Sequence, residues 1–308
     1  MNNSIAVLQI TSVGGAMTLA QTLRLANDDT LCHLEVSRCG AWLLGACYSS
    51  GRLLVARIHA DGALGSVTDT KLHVLHNPDP SLADRQEACH PHQIRLDPRN
   101  GRWALVPDLG ADMVYVYQFD SSSGALIGAD SSERHLHLAR GSGPRHLDFH
   151  PSGRYVYVSC ELDGTVAMCH WDGDSGLLTI GSSFSAMPHG VACSRTHHSG
   201  LAHILCASDG RTVYVSSRTD GAIVWFRVDA KGSLQRLGSI SCGGICPRHF
   251  SIEDNVLLVA NQDSNRVDSF EINSLDGSLR HIVDKALVLP ETHFPEMVTS
   301  GICPPSWC

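Results

Sequence analysis

An internal repeat constrains the fold of this chain more than any other feature. Each copy begins with a basic residue and an apolar strand, turns at Gly or Asn, continues through two more apolar strands and closes in Gly-x-Leu. The clearest copy spans residues 144–178. The closing leucines of the five copies are Leu64, Leu126, Leu178, Leu234 and Leu279. They lie about 54 residues apart on average, a spacing close to that of one propeller blade.

The strands within each copy are short and rich in β-branched and aromatic residues, and helical periodicity is nearly absent. Each copy has three visible strands and room for a fourth after the Gly-x-Leu turn, for example at residues 237–240 and 281–283. Four-stranded units of this length are typical of β-propellers, whereas a β-sandwich does not predict a repeated unit. The sequence therefore predicts an all-β fold, with residues 1–308 forming a single β-propeller domain.

Composition and charge exclude several classes of protein. Lys and Arg total 23 against 31 Asp and Glu, a net charge of -8, which argues against binding to a nucleic acid backbone. No apolar run is long enough to span a membrane, and the N-terminus lacks the basic start of a signal peptide. Several of the 12 cysteines lie in apolar runs, namely Cys47, Cys160, Cys193 and Cys206. These features predict a reduced, cytoplasmic protein without nucleic acid or membrane partners.

Two recurring positions of the repeat predict a site at one end of the propeller. The innermost strands start at His33, His92, Arg145, His203 and Arg248, which are all basic. The corresponding position in the loops between the second and third strands is occupied by Tyr48, Leu109, Glu161, Arg218 and Gln262. In an antiparallel blade both positions lie at the same end, so we expect these side chains to meet at the mouth of the central channel. Guanidinium and imidazole groups around one carboxylate suit a small anionic ligand.

Other polar motifs carry weaker signals. The pair His90 and His92 has no Asp, Glu or Cys partner at a spacing typical of a metal site, and Cys242 and Cys246 lack a second close pair. His197-His198 is expected in a solvated loop, and no nucleophile elbow is present. We therefore expect neither a metal nor a cofactor.

Six segments resemble a known family, the seven-bladed propeller lactonases related to bacterial 6-phosphogluconolactonase, which include muconate-cyclising enzymes. The similar segments are residues 85–92, 106–112, 143–146 with 149–151, 215–218, 247–250 and 258–264. The resemblance implies functional roles for His92, Arg145, Glu161 and Arg248. Two departures are Cys89, where the family usually has Pro, and the insertion around His197-His198.

The length of 308 residues corresponds to fewer than seven units of this size. Residues 4–10 and 17–25 have the pattern of a third and a fourth strand, and residues 295–298 that of an innermost strand. One interpretation joins the two ends in a split sixth blade, which would close the ring without an exposed edge. The other is a seven-bladed family member without its first blade and half of its second. The oligomeric state is left open.

The resemblance and the mouth residues together lead to one main hypothesis, a metal-independent hydrolase that opens a sugar lactone such as 6-phosphoglucono-1,5-lactone. Glu161 or His92 would deprotonate the attacking water, and Arg145 and Arg248 would hold the anion and stabilise the oxyanion. The remaining mouth residues, expected to bind substrate, are His33, His203, Arg218 and Gln262. The alternatives are a cycloisomerase acting on a muconate-like diacid and a non-catalytic propeller that binds other proteins.

Overall fold

The computed structural model of the chain describes residues 4–10, 15–25, 30–75, 79–128, 134–188, 200–282 and 287–288. Over these residues the chain forms an N-terminal hairpin and five antiparallel sheets, which we number as blades 1 to 5. The hairpin consists of β1 (Ser4–Ile10) and β2 (Met17–Arg24). The β-propeller predicted from the repeat is confirmed.

Three of the blades have four strands each, arranged from the centre outward in chain order. Blade 1 contains β3 (Leu31–Val36), β4 (Trp42–Cys47), β5 (Arg52–Ile58) and β6 (Leu64–Leu72). Blade 3 contains β12 (Pro144–Phe149), β13 (Tyr155–Cys160), β14 (Thr165–Asp172) and β15 (Leu177–Ser185). Blade 4 contains β16 (Leu201–Cys206), β17 (Thr212–Ser217), β18 (Ala222–Val228) and β19 (Leu234–Ser241).

Blades 2 and 5 differ because their outermost strand is split into two pieces that pair with the same third strand. Blade 2 contains β7 (Arg95–Leu96), β8 (Trp103–Asp108), β9 (Met113–Asp120), β10 (Ala125–Ile127) and β11 (Leu136–His137). Blade 5 contains β20 (Pro247–Glu253), β21 (Val256–Asn261), β22 (Arg266–Ile272), β23 (Leu279–His281) and β24 (Leu287–Val288). A helical turn before blade 2 comprises a 3-10 helix (Pro80–Leu82) and α1 (Ala83–Gln86).

The Gly-x-Leu motif marks the entry into the outer strand of each blade. Its glycines have φ between +72° and +83°, a region that favours glycine at a tight turn. The closing leucines are buried in all five copies. These leucines belong to the outer strand; in blade 4, for example, β19 begins at Leu234. The fourth strand predicted at residues 237–240 is therefore present, and it begins three residues earlier, at the closing leucine.

Neighbouring blades share one hydrophobic core at each contact, because both faces of their sheets are apolar. Aromatic side chains also connect the blades through hydrogen bonds. Trp103 Nε1 of blade 2 donates to the Gly173 carbonyl of blade 3 at 2.9 Å, and Tyr157 OH of blade 3 donates to Gly232 of blade 4 at 3.0 Å. These contacts join the second strand of one blade to the turn between the third and fourth strands of the next.

The N-terminal hairpin packs on blade 1 through a cluster that includes Ile5, Leu43 and Leu64. This agrees with the prediction that residues 4–10 and 17–25 are two strands of a further blade. The innermost strand expected at residues 295–298 and the loop at His197-His198 lie outside the described residues.

The nine described cysteines are free thiols, and Cys47 and Cys160 among them are buried as expected, whereas Cys206 is half-buried. Cys193 lies outside the described residues. Within the described ranges, no helix combines the length and apolar character that crossing a membrane requires.

Candidate active site

The innermost strand of each blade carries an extra residue near its start, and this bulge sets which side chains reach the channel. In blade 3, Pro144 is opposite Cys160 and His146 is opposite Ser159, so Arg145 is the extra residue. The same shift of register occurs in blades 1, 4 and 5. In blade 2 it lies between Pro91, which is opposite Asp108, and Arg95, which is opposite Leu105. A bulge places two residues against one on the partner strand and turns an additional side chain toward the axis.

This register corrects one part of the sequence interpretation. The five basic residues were expected at one level, but His33 and His203 lie at the level of His146 and His249 rather than that of Arg145 and Arg248. The channel lining therefore has two levels. We call them the mouth layer (Arg85, His92, Arg145, Glu161, Arg218, Arg248 and Gln262) and the histidine layer (His33, Gln93, His146, His203 and His249).

The second-to-third strand loops hold the positions predicted for them. Each predicted loop residue directly follows the second strand, and its backbone N–H donates to a carbonyl just before the innermost strand of the same blade. Glu161 N thus donates to Gly143 O at 2.7 Å, and Arg218 N to Gly200 O at 2.9 Å. This repeated bond aims Glu161 and Arg218 at the mouth layer.

Glu161 is the centre of the mouth layer. Its carboxylate is 2% exposed and lies 2.5 Å from Arg85 Nη2, 2.9 Å from Arg145 Nε and 2.9 Å from Arg218 Nη2. With Arg248, these five charged groups carry a net charge of +3. A small site that is this positive in an otherwise acidic protein attracts anions.

The guanidinium groups decide the ionisation of Glu161. Burial by itself raises the pKa of this carboxyl, but the positive charges of Arg218, Arg145 and Arg85 outweigh burial and hold the pKa below its usual value. Glu161 is therefore an anion near neutral pH and a poor acceptor for a proton from water. Burial and the neighbouring Arg218 lower the pKa of Arg145 to about 9, which leaves it cationic at pH 7.

Arg248 and Gln262 lie at the more open side of the mouth layer. Arg248 Nη1 donates to Gln262 Oε1 at 3.1 Å, and both residues are half-buried. The positive charges of Arg145 and Arg248 act on the same imidazole, that of His92. Arg248 thus belongs to the electrostatic environment of the mouth layer.

The histidine layer lies directly below the mouth layer. The His146 ring makes edge contacts with the rings of His33 at 5.8 Å and His92 at 5.2 Å between centroids. His146 Nδ1 is 2.8 Å from His203 Nδ1, and the His203 ring stacks on that of His249 at 3.9 Å. Burial lowers the pKa of His33 to about 3 and that of His249 to about 4, so these imidazoles are neutral at pH 7.

His92 combines a neutral ring with a position in the mouth layer. Burial, followed by the charges of Arg145 and Arg248, lowers its pKa well below the ordinary value. Its ring makes an edge contact with Tyr48 at 5.3 Å, and its Nδ1 has no hydrogen-bonding partner within the described part of the chain. An unprotonated imidazole next to an anion-binding group of arginines is suited to accept a proton.

Below the histidine layer, a third set of side chains closes the polar lining. Arg95 Nη1 donates to Glu35 Oε2 at 3.1 Å, and Arg95 Nη2 to Asp148 Oδ1 at 3.4 Å. This set carries a net charge of -1, opposite in sign to the mouth layer. An anion entering the channel is therefore favoured at the mouth and opposed below the histidine layer.

All eight site residues predicted from the sequence lie in the mouth and histidine layers. The residues that sequence reasoning did not assign are Arg85, Gln93, His146 and His249. His146 and His249 directly follow Arg145 and Arg248, and only the bulge turns both neighbours inward. Arg85 comes from α1, outside the repeat, so the repeat could not have revealed it. Across the described residues, no three His, Cys, Asp or Glu side chains are arranged to hold a metal ion.

Comparison with known proteins agrees with this architecture. Residues 1–294 match the family described as Lactonase, 7-bladed beta-propeller. A 6-phosphogluconolactonase of Bacillus subtilis is 29% identical over 278 residues, which are 89% of this chain and 75% of that protein. A 6-phosphogluconolactonase of Pectobacterium carotovorum is 30% identical and covers 89% of this chain and 76% of its own length.

Solved structures give the same result. A putative 6-phosphogluconolactonase from Bacteroides fragilis superimposes with a TM-score of 0.80 at 28% identity, covering 93% of this chain and 78% of that one. A periplasmic gluconolactonase from Pseudomonas aeruginosa also has a TM-score of 0.80 at 28% identity, covering 92% and 77%. The chain belongs to the lactonase family of seven-bladed β-propellers and is a hydrolase of the lactonase type.

Proposed function

We propose that this protein opens a phosphorylated sugar lactone, 6-phosphoglucono-1,5-lactone, by attack of water on the ring carbonyl. The observation that carries the proposal is the buried Glu161 with three arginines against it, a set that together with Arg248 carries a net charge of +3. Relatives named 6-phosphogluconolactonase support a small sugar-phosphate lactone as the substrate class.

Between the two candidate bases, the availability of an acceptor atom favours His92, since the pKa of both groups is lowered. Both oxygens of Glu161 face guanidinium groups, Oε1 that of Arg85 and Oε2 those of Arg145 and Arg218. His92 is neutral, with a nitrogen that has no partner among the described residues. A bound anion would offset the positive charges of Arg145 and Arg248, which reduces their part in lowering the pKa of His92.

The arginines would bind the substrate and stabilise charge. Arg248 lies at the more open side and is suited to hold the phosphate. Arg145 is buried, and its charge acts on His92 in the mouth layer, so it is suited to stabilise the oxyanion that forms as water adds to the carbonyl. Glu161 then acts by holding Arg85 and Arg218 and by offsetting part of the positive charge around Arg145. We also expect a cytoplasmic location, although one structural neighbour is periplasmic.

The test measures opening of freshly made 6-phosphoglucono-1,5-lactone by the full chain, alongside glucono-1,5-lactone and a muconate-like diacid. His92→Gln should lower kcat about 10²–10⁴-fold with little change in KM, since general-base help is worth that factor. His59→Gln, an exposed histidine far from the mouth layer, is the control. The proposal is wrong if the wild type does not exceed the spontaneous rate, if the diacid is the better substrate, or if His92→Gln keeps the full rate.

A further inference from the structure

Arg145 is held by an unusual partner. Its guanidinium is 2% exposed, and its Nη1 lies 3.3 Å from His146 Nε2 in hydrogen-bonding geometry. Its Nε lies 2.9 Å from Glu161 Oε2, but the N–H is not directed at that oxygen. Within the described residues, His146 therefore provides the directional restraint on Arg145, while Glu161 supplies mainly charge.

The contact with Arg145 determines where His146 carries its proton. A guanidinium has only donors, so His146 Nε2 must accept, and a neutral imidazole then carries its proton on Nδ1. His146 Nδ1 is 2.8 Å from His203 Nδ1. Since the first of these nitrogens donates, the second must accept, and His203 carries its proton on Nε2. The chain of donors runs in one direction, from Arg145 to His146 to His203.

Contacts within and between the blades hold His146 and His203 in place. His146 N lies 3.3 Å from Ser159 Oγ, which in turn donates to the Ala202 carbonyl of blade 4 at 2.9 Å. His203 N donates to Ser216 Oγ at 3.0 Å. The ring of His203 stacks on His249 of blade 5 with an interplanar angle of 18°. The position of Arg145 in blade 3 thus depends on contacts made by blades 4 and 5.

We propose that His146 and His203 are positioning residues, which act as a hydrogen-bonded pair of fixed tautomers to orient the Arg145 guanidinium for anion binding. Without an acceptor on His203, His146 can move its proton to Nε2 and present an N–H to the donors of Arg145. That repulsion would turn the guanidinium away from its place beside Glu161. The net charge of the mouth layer would stay the same, but the Arg145 guanidinium would no longer be oriented for anion binding.

The first experiment is independent of any activity. In the full chain labelled with ¹⁵N in the histidine rings, NMR at pH 7 should find the proton of His146 on Nδ1 and that of His203 on Nε2. His146→Gln and His203→Asn identify the signals by their loss. A spectrum in which His146 carries its proton on Nε2, or on both nitrogens, overturns the proposal even if the protein is an active lactonase.

The second experiment rests on the proposed function and compares two substitutions at one position. His203→Asn retains an acceptor near the place of Nδ1, whereas His203→Leu removes it. We expect His203→Leu to lower kcat/KM for the phosphorylated lactone about 10–100-fold, the range typical of lost orienting contacts, and His203→Asn to stay within about threefold of wild type. Equal losses in the two variants would indicate a role in packing alone and refute the proposal.

A double substitution separates orientation from packing. Gln at position 146 can still accept from Arg145, but its amide has no tautomer for His203 to select. In the His146→Gln background, His203→Leu should therefore change kcat/KM less than twofold. The affinity for inorganic phosphate, measured by calorimetry on the same variants, should follow the same order. If the phosphate series holds while no lactone is opened by the wild type, the positioning stands and only the proposed reaction fails.

Discussion

Glu161 offers the sharpest test of the electrostatic reasoning, because Gln has nearly its shape but no charge. Glu161→Gln leaves the guanidinium groups of Arg85, Arg145 and Arg218 buried around a neutral amide, and the net charge of the five-group set rises from +3 to +4. Removing one partner of a buried ion pair costs about 3–5 kcal/mol, since the remaining charge stays desolvated. We expect a loss of stability of this size.

That loss converts into a measurable melting temperature. An unfolding entropy of about 2.1 cal/mol/K per residue, applied to 308 residues, means that about 3–5 kcal/mol lowers Tm by about 5–8 °C. Differential scanning calorimetry in a buffer without multivalent anions measures the shift. Glu35→Gln is the matched control, because Arg95 keeps Asp148 as its second carboxylate and the loss should be smaller.

Added phosphate provides the refuting comparison. In Glu161→Gln the mouth layer has lost its own carboxylate, so an inorganic anion should bind more tightly there than in the wild type. A ligand at about 100 times its Kd adds about 2.7 kcal/mol, which would restore about 4 °C of the lost Tm. The reasoning is refuted if Glu161→Gln has the same Tm as the wild type, or if phosphate raises the Tm of both proteins equally.

Three further predictions address binding, pH and packing. In steady-state assays, Arg248→Gln should raise KM for the phosphorylated lactone about 10–100-fold with kcat nearly unchanged, because a charge-assisted hydrogen bond to the substrate is lost. The exposed Arg211→Gln is the control and should leave both constants unchanged. Burial lowers the pKa of His33 from 6.5 to about 3, so the stability is full above pH 6.5 and falls as the unfolded state takes up the proton. Between pH 7.5 and 5.5, urea unfolding should show a loss of stability about 1.4 kcal/mol larger for wild type than for His33→Gln. Gly110→Ala should destabilise the protein by about 1–3 kcal/mol in the same assay, because the added methyl group would overlap the Ala88 carbonyl; a stability equal to wild type would contradict the packing described.

The fold could be predicted from the sequence because its determinants are local and repeated. The Gly-x-Leu turn, the short apolar strands and the spacing of the copies each depend on a few consecutive residues. The same locality applies to Glu161, Arg218 and Gln262, since each follows the second strand of its blade by one position. Counting along the repeat was therefore enough to bring them to one end of the propeller.

The level at which each basic residue enters the channel could not be predicted in this way. Strict alternation turns every second side chain inward, but the bulge at the start of the innermost strands inserts a residue and turns Arg145 and His146 inward together. The result places His33 and His203 in the histidine layer and reveals His146 and His249. A bulge is a property of pairing between strands, so the sequence of one strand does not specify it.

The sequence by itself determined a propeller with arginines, histidines and one glutamate at the same end. Only the tertiary structure decided that Glu161 is surrounded by three guanidinium groups, one of them from α1, and is thereby held as an anion. The tertiary structure likewise decided that the buried imidazoles of the histidine layer and of His92 are neutral. Charge state depends on burial and on the distance to charged groups from other blades, and these distances exist only once the chain has folded.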